Sequence, residues 1–315
     1  MAGYIAWRLV SAVPVILLVT LISFSIMSLV PGDPAAIIAG ATATDAEIAD
    51  LRVALGLDRP FLTRLVHWYG DLLSGDLGRS ILLQRPVAEA IAERLPVTLA
   101  LGAYALVLTL VFGVGLGVVA AVRQNTWVDQ ICMTVAVLGV SIPNLWLALL
   151  FVFLFAVTLG WFPTGGYVPF GEDAVGALVA LTLPAISLAL MQVGLLARMT
   201  RSAMLEVLRQ DFVRTARAKG LPGWFVVLRH ALGNALIPLV TVMGIILSLM
   251  ISGTVVIESV FSLPGMGRLI VNAIQRRDYP VIQGGLMLIA TALVLVNLVV
   301  DLLYAWLDPR VRYAD

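Results

Sequence analysis

Charge is scarce in this sequence. Of 315 residues, 12% are Asp, Glu, Lys or Arg, against about 25% in an ordinary soluble domain. A soluble chain of this length would lack the groups needed to cover its surface, which excludes a typical globular enzyme. A single cysteine, Cys132, excludes an internal disulfide and a multi-thiolate metal site. Two histidines, His67 and His230, leave too few nitrogens for a histidine-based site. No G-x-x-x-x-G-K-[ST] run occurs, so this chain carries no phosphate loop of that kind. A net charge of +1 gives no electrostatic footprint for nucleic acid. What remains is 61% hydrophobic, with 27 Gly and 15 Pro spread through apolar stretches, as transmembrane helices tolerate better than soluble ones. The sequence reads as an all-α integral membrane protein.

Crossing the hydrocarbon core takes about 20 apolar residues. The first candidate, 9–30, has no formal charge and ends at the turn signal Pro31-Gly32-Asp33-Pro34. It is longer than a signal-peptide core and is read as an uncleaved span. Further runs at 97–122, 131–159, 175–197, 235–257 and 281–307 bring the expectation to six helices. The organisation expected is a first helix plus long outer loop (1–96), a five-helix core (97–307) and a tail (308–315). The loop 199–234 carries Arg201, Arg209, Arg214, Arg217, Lys219 and Arg229 against Glu206 and Asp211. The segment 31–96 is net acidic instead, and 160–174 has no cation. By the positive-inside rule both termini are expected in the cytoplasm, with Arg8, Arg123, Arg310 and Arg312 on the same side. Arg268, Arg276 and Arg277 fall on the other side and dissent.

Small residues recur every four positions at Gly113, Gly117 and Ala121 and at Gly244, Ser248 and Ser252, a spacing that lets helices approach closely in lipid. Pro143 and Pro184 fall inside spans and are expected to kink them. Trp7, Trp127, Trp161 and Trp306 lie at span ends, where an indole favours the headgroup layer. Cys132 reads as a small packing residue.

The outer loop after the first span is too long for a simple connector. Phe61, Leu62, Leu65, Val66, Trp68, Tyr69, Leu72 and Leu73 form an apolar stripe of helical period opposed by Arg64, His67 and Asp71. Such a helix can lie on a membrane surface or meet a partner, and Trp68 and Tyr69 are its candidate contacts with a binding protein. On the cytoplasmic side, Asp211 is expected to cap a short helix over 212–219. Gly220 sits where a helix end favours a left-handed residue, and Pro222 forbids continuation.

From these residues a resemblance emerges. The run DFVRTARAKGLPGWFVVLRHALGNALIPLV (211–240) resembles the cytoplasmic coupling segment of ABC-importer permeases of the oligopeptide, dipeptide and nickel type. PGDP (31–34), GDLGRS (75–80), ESVFSLPGMGRL (258–269), RDYPVIQG (277–284) and the ending LDPRVRY match in order along the chain. The general permease pattern begins this segment Glu-Ala-Ala; here the positions read Arg214-Thr215-Ala216, with Gly220 four residues on.

The resemblance implies a type I importer permease fold in a bacterial inner membrane. It implies a second homologous permease, two ATPase subunits holding ATP and Mg, and an extracytoplasmic substrate-binding protein, with no cofactor on this chain. The implied ATPase contact comprises Asp211, Phe212, Arg214, Thr215, Ala216, Arg217, Lys219, Gly220 and Leu221. The implied cargo is a peptide or similar small solute. An ion-coupled secondary transporter is the alternative, but such chains place ionisable residues deep in their spans; here the span interiors offer essentially Asp301. An intramembrane protease would need a Ser–His pair, an Asp pair or H-E-x-x-H, and both histidines fall in loops.

Overall fold

The computed structural model describes residues 2–29, 33–39, 43–54 and 56–307. The expectations for Pro31, Gly32 and the tail 308–315, with Arg310 and Arg312, lie outside the described residues, as do the side chains of Trp7, Arg8 and Trp306. The described residues form twelve helices. They are α1 (Ala2–Leu29), α2 (Pro34–Ala39), α3 (Asp45–Ala54), α4 (Phe61–Leu73), α5 (Val87–Val122), α6 (Trp127–Ser141), α7 (Asn144–Thr158), α8 (Ala174–Leu208), α9 (Asp211–Ala218), α10 (Gly223–Val260), α11 (Met266–Arg276) and α12 (Tyr279–Leu307).

Four of them, α5, α8, α10 and α12, are long and apolar enough to cross a membrane. The pair α6 and α7 qualifies jointly but is bent by 103°. Helix α1 supplies a shorter apolar stretch, Val10–Ser25. Five of the expected runs therefore coincide with long helices or the bent pair, and the first coincides with α1. Helix α5 begins ten residues before the expected start at 97, because Pro96 sits inside it without ending it. Pro184 is likewise buried within an unbroken α8. Pro143 does more than kink its span. Ile142, which precedes it, is extended at φ −92°, ψ 125°, as the steric demand of the proline ring on its predecessor favours, and the helix stops there.

The chain divides into two compact units. One comprises Met1–Ile5, Val97–Arg268 and Leu295–Asp315. Its core is built on α8, against which α5, α6 and α10 pack, and includes Leu101, Leu181, Leu188, Leu196, Ile246 and Ile257. A Cβ at Gly117 would lie 2.6 Å from the Ala197 carbonyl oxygen, so the small-residue stripe of α5 brings two backbones together. Helix α6 runs antiparallel to α8. Asp129 meets Arg201, Gly194 sits against Ala136, and Gly139 against Leu190.

The far end of the bent pair is fixed too. Gly166, in the loop after α7, donates its N–H to the Phe261 carbonyl at 3.0 Å, just beyond α10. The opposite end of α10, with Ala231 and Ala235, clusters with Met204 and Val207 near the C-terminus of α8. So α6 and α7 start at one end of α8 and finish at the other. They form a broken crossing, not a hairpin returning to its own side.

The second unit comprises Ala6–Pro96 and Leu269–Val294. In it α4 lies against α1. Phe24 meets Phe61 and Trp68 with ring centroids 5.5 and 5.3 Å apart, and the Tyr69 hydroxyl lies 2.9 Å from Thr20 Oγ1.

Candidate functional site

Helix α9 is reached from α8 through two residues, Arg209 and Gln210. Asp211 is the first helical residue and not its cap. Gln210 holds the capping position in extended conformation with no side-chain cap bond. The reason is the tightness of this corner: the Gln210 carbonyl already accepts from Val213 and Arg214, so the helix starts one residue earlier than expected. Asp211 still favours the positive end of the helix dipole and lies 3.5 Å from Arg214 Nη1.

The other end of α9 matches expectation. Gly220 is left-handed at φ +77°. Its N–H donates to the Arg217 carbonyl at 3.0 Å, and the Leu221 N–H to the Ala216 carbonyl at 3.4 Å. Those two bonds make a Schellman motif, which satisfies carbonyls a helix end otherwise leaves open. Leu221, the residue after the glycine, packs on the same apolar cluster that takes up Ala216.

The faces of α9 are divided. Val213 and Ala216 are buried among Ala121, Met204, Val207, Val226 and Ala231. Asp211, Phe212, Arg214, Thr215, Arg217, Lys219 and Gly220 are exposed. Helix α10 then opens with a π-helical stretch, Val226–Leu232, that touches α9. Such wide turns occur often at functional sites. Of the nine residues expected to form the cytoplasmic contact, Ala216 points inward as a root, Leu221 is half-buried, and the other seven lie on the open side.

Two carboxylates tie the ends of this unit. Asp129, at the start of α6, accepts from Arg201 Nε and Nη2 at 2.7 Å each and from the Asn125 N–H at 3.0 Å. Glu258, near the end of α10, is fully buried. It accepts from the Thr98 hydroxyl at 2.6 Å and from the Arg268 N–H at 3.1 Å. Thr98 in turn accepts from the Met266 N–H at 2.8 Å. Glycines make room for this: a Cβ at Gly265 would fall 2.2 Å from Glu258 Cδ. Sequence reasoning missed the burial of Glu258, which lies one residue past the expected span. Its signal was the pair of glycines following it in ESVFSLPGMGRL.

The second unit joins two other recognised motifs. Asp278, buried within RDYPVIQG, accepts from the Ser80 hydroxyl and from the N–H groups of Ile81 and Leu82 at 3.3 and 3.2 Å. GDLGRS and RDYPVIQG, almost 200 positions apart, thus form one buckle. Trp68 and Tyr69 are half-buried against α1, whereas Leu62, Val66 and Leu73 on the same helix are exposed. Asp301 is half-buried in α12. Cys132 is buried, and Trp127 and Trp161 are exposed. Among the described residues no group of His, Cys, Asp and Glu could hold a metal ion.

Comparisons with known proteins point to one family. Residues 113–313 match the model of the family described as binding-protein-dependent transport system inner membrane component. Residues 1–102 match that of the N-terminal part of the same kind of component. A putative peptide transport system permease protein of Brucella abortus (strain 2308) is 51% identical over 99% of this chain and all of its own length. A dipeptide transport system permease protein of Alkalihalophilus pseudofirmus is 42% identical over 99% of this chain and all of its own. A glutathione transport system permease protein of Escherichia coli O6:H1 is 41% identical with the same coverage. The solved methionine ABC transporter MetNI, in an inward-facing conformation, aligns with a TM-score of 0.53 at 19% identity, over 70% of this chain and 94% of its own. That likeness speaks to the fold alone.

Proposed function

The chain belongs to the binding-protein-dependent transport system inner membrane component family, as a multi-pass permease subunit of a peptide-type ABC importer, and we propose how it works within one. It forms half of a solute pathway with a second, homologous permease. Each permease receives one ATPase subunit, which binds ATP and Mg and performs the hydrolysis; this chain binds neither. A binding protein delivers the solute from outside, and both termini lie in the cytoplasm. The cargo is a peptide or a small peptide-like molecule, in keeping with relatives named for peptide, dipeptide and glutathione transport.

Helix α9 is the part that couples hydrolysis to the pathway. The observation that carries this reading is the division of its faces, with Val213 and Ala216 rooted in the bundle and Phe212, Arg214, Arg217 and Lys219 open to a partner. A two-residue tether to α8 and a short turn into α10 let a push on that face tilt both long helices. Arg214, Arg217 and Lys219 suit an acidic groove on the ATPase, and Phe212 supplies an apolar contact. On the outer side, α4 serves the binding protein through exposed Leu62 and Val66, with Trp68 and Tyr69 fixing its position.

Gly220 provides the test. A side chain there meets open space, so Gly220→Val acts only through the left-handed backbone, at a cost on the order of 1–2 kcal/mol. The variant is expected to insert normally and to lose transport, with ATP hydrolysis no longer stimulated by loaded binding protein. Gly220→Asn, which tolerates this conformation, is expected to retain most of both. Normal transport by inserted Gly220→Val would overturn the capped-helix mechanism.

A further inference from the structure

The break between α6 and α7 lies deep in the bundle. Gly139, just before it, packs on Leu190. Asn144, just after it, has its Nδ2 3.7 Å from where a Cβ on Gly253 would stand, and that same Cβ would lie 2.7 Å from Leu188 Cδ1. Leu188 is near the middle of the apolar stretch 175–197. The chain therefore leaves helical geometry at Ile142 and Pro143 near the centre of the bilayer and turns by 103° there.

Non-helical backbone at that depth is tolerated only inside protein or along a water-filled cavity, because lipid cannot hydrogen-bond the open N–H and C=O groups. Protein of this unit covers the break only in part. Ser141 and Pro143 are exposed, Ile142 and Asn144 half so. On the adjoining helix Ser252, next to Gly253, is exposed as well. Asn144 adds an independent sign: its Oδ1 is shut off from the surface and has no hydrogen-bond partner within the chain.

Resting on the permease reading above, we infer that the break at Ser141–Asn144, with Ser252 beside it, lines the aqueous path taken by the solute. The wall so formed is polar and uncharged. It offers hydroxyls, the half-exposed amide end of Asn144 and the open backbone groups of two helix ends, which suit the repeating N–H and C=O groups of a peptide main chain and leave its side chains unread. Neutral hydrogen bonds of this kind are weak enough in the presence of water to let a solute move on.

The experiment uses the assembled transporter in lipid nanodiscs, with Cys132→Ser and single cysteines introduced as Ser141→Cys, Ser252→Cys and, for comparison, Val107→Cys at an exposed apolar site on an uninterrupted helix. The probes are a charged methanethiosulfonate and membrane-permeant N-ethylmaleimide. Ser141→Cys and Ser252→Cys are expected to react with the charged reagent at least tenfold faster than Val107→Cys, at a rate that changes when the ATPases are trapped with vanadate. Asn144→Ala is expected to lower peptide uptake at least fivefold in correctly assembled complexes, with partial recovery in Asn144→Gln.

Reaction of Ser141→Cys with the maleimide alone would place the break against lipid. Cross-linking to the second permease without charged-reagent labelling would make it an interface. Either result overturns the inference while leaving the permease reading intact, which fails separately if the chain does not co-purify with ATPase subunits.

Discussion

Asp129 and Glu258 solve one problem at opposite ends of the larger unit, and they solve it differently. Asp129 fastens α6 to α8 through a guanidinium that holds both carboxylate oxygens, and the Arg201 side chain remains 26% exposed. Water can reach that pair, which lowers the cost of keeping two charges in place. Among the described residues no cation meets Glu258. The Arg268 guanidinium instead donates to the Ser262 carbonyl at 2.7 Å, and only its backbone N–H serves the carboxylate. A fully enclosed group is thus held by a hydroxyl and amides that the fold itself positions. The contrast teaches that the Asp129 end can be loosened by exchanging one partner, while the Glu258 end depends on three segments being in register: α5 at Thr98, the end of α10 and the turn into α11.

The largest effect is therefore expected at Glu258. Glu258→Leu strands the Thr98 hydroxyl and the Arg268 amide, at about 1–3 kcal/mol per orphaned donor, so a loss of roughly 2–6 kcal/mol should appear as a lowered thermal midpoint in detergent. Glu258→Gln keeps an acceptor for Thr98 and should cost about 1–2 kcal/mol. Equal losses for the two would break the contrast, since volume rather than hydrogen bonding would then be at work.

Next comes Arg201→Ala. Stranding one member of a buried pair costs about 3–5 kcal/mol; partial exposure here brings the expectation to roughly 2–3 kcal/mol. Adding Asp129→Asn should recover most of that loss in the same assay, because no uncompensated charge remains. Failure to recover would show that the pair does more than tie two helices.

The smallest effect is expected at a more exposed pair, Asp33 and Arg52 in the second unit. The Arg52 hydrogen bond holds the Asp33 carboxyl below its ordinary range, with help from the Ala35 N–H, against a smaller opposing effect of desolvation. A lowered folded value means the contribution is present above about pH 4 and fades as pH falls further. Hydrogen exchange in α2 and α3 should be unaffected by Asp33→Asn when the pH is low, and differ only slightly near neutrality. A large difference at neutral pH would place this pair with the buried ones.

Several of these features were legible in the sequence, for identifiable reasons. Apolar length alone located α8, α10 and α12, since hydrocarbon thickness sets their scale. Gly220 announced its backbone because few other residues take a left-handed turn cheaply. Three things escaped. Asp211 looked like a cap, but the short tether from α8 hands that place to Gln210. Pro143 and Pro184 looked alike, yet one ends a helix and the other sits buried within a continuous one, where neighbouring helices can take up the backbone groups that proline frees. The Ser80–Asp278 buckle depends on partners far away in sequence, of which local pattern carries no trace, and the burial of Glu258 shows locally only in the two glycines that follow it.

Helix α9 keeps two kinds of information on eight residues without mixing them. Val213 and Ala216 answer to the bundle; Phe212, Arg214, Thr215 and Arg217 answer to whatever meets them from outside. Drift on the open side is therefore free of folding penalty, and drift on the rooted side is not. A duplicated permease could acquire a different motor by exchanging a handful of outward side chains, and graft experiments that swap only those positions should carry motor preference with them. On the coupling role proposed above, the alternation would turn a mechanical joint into a replaceable fitting.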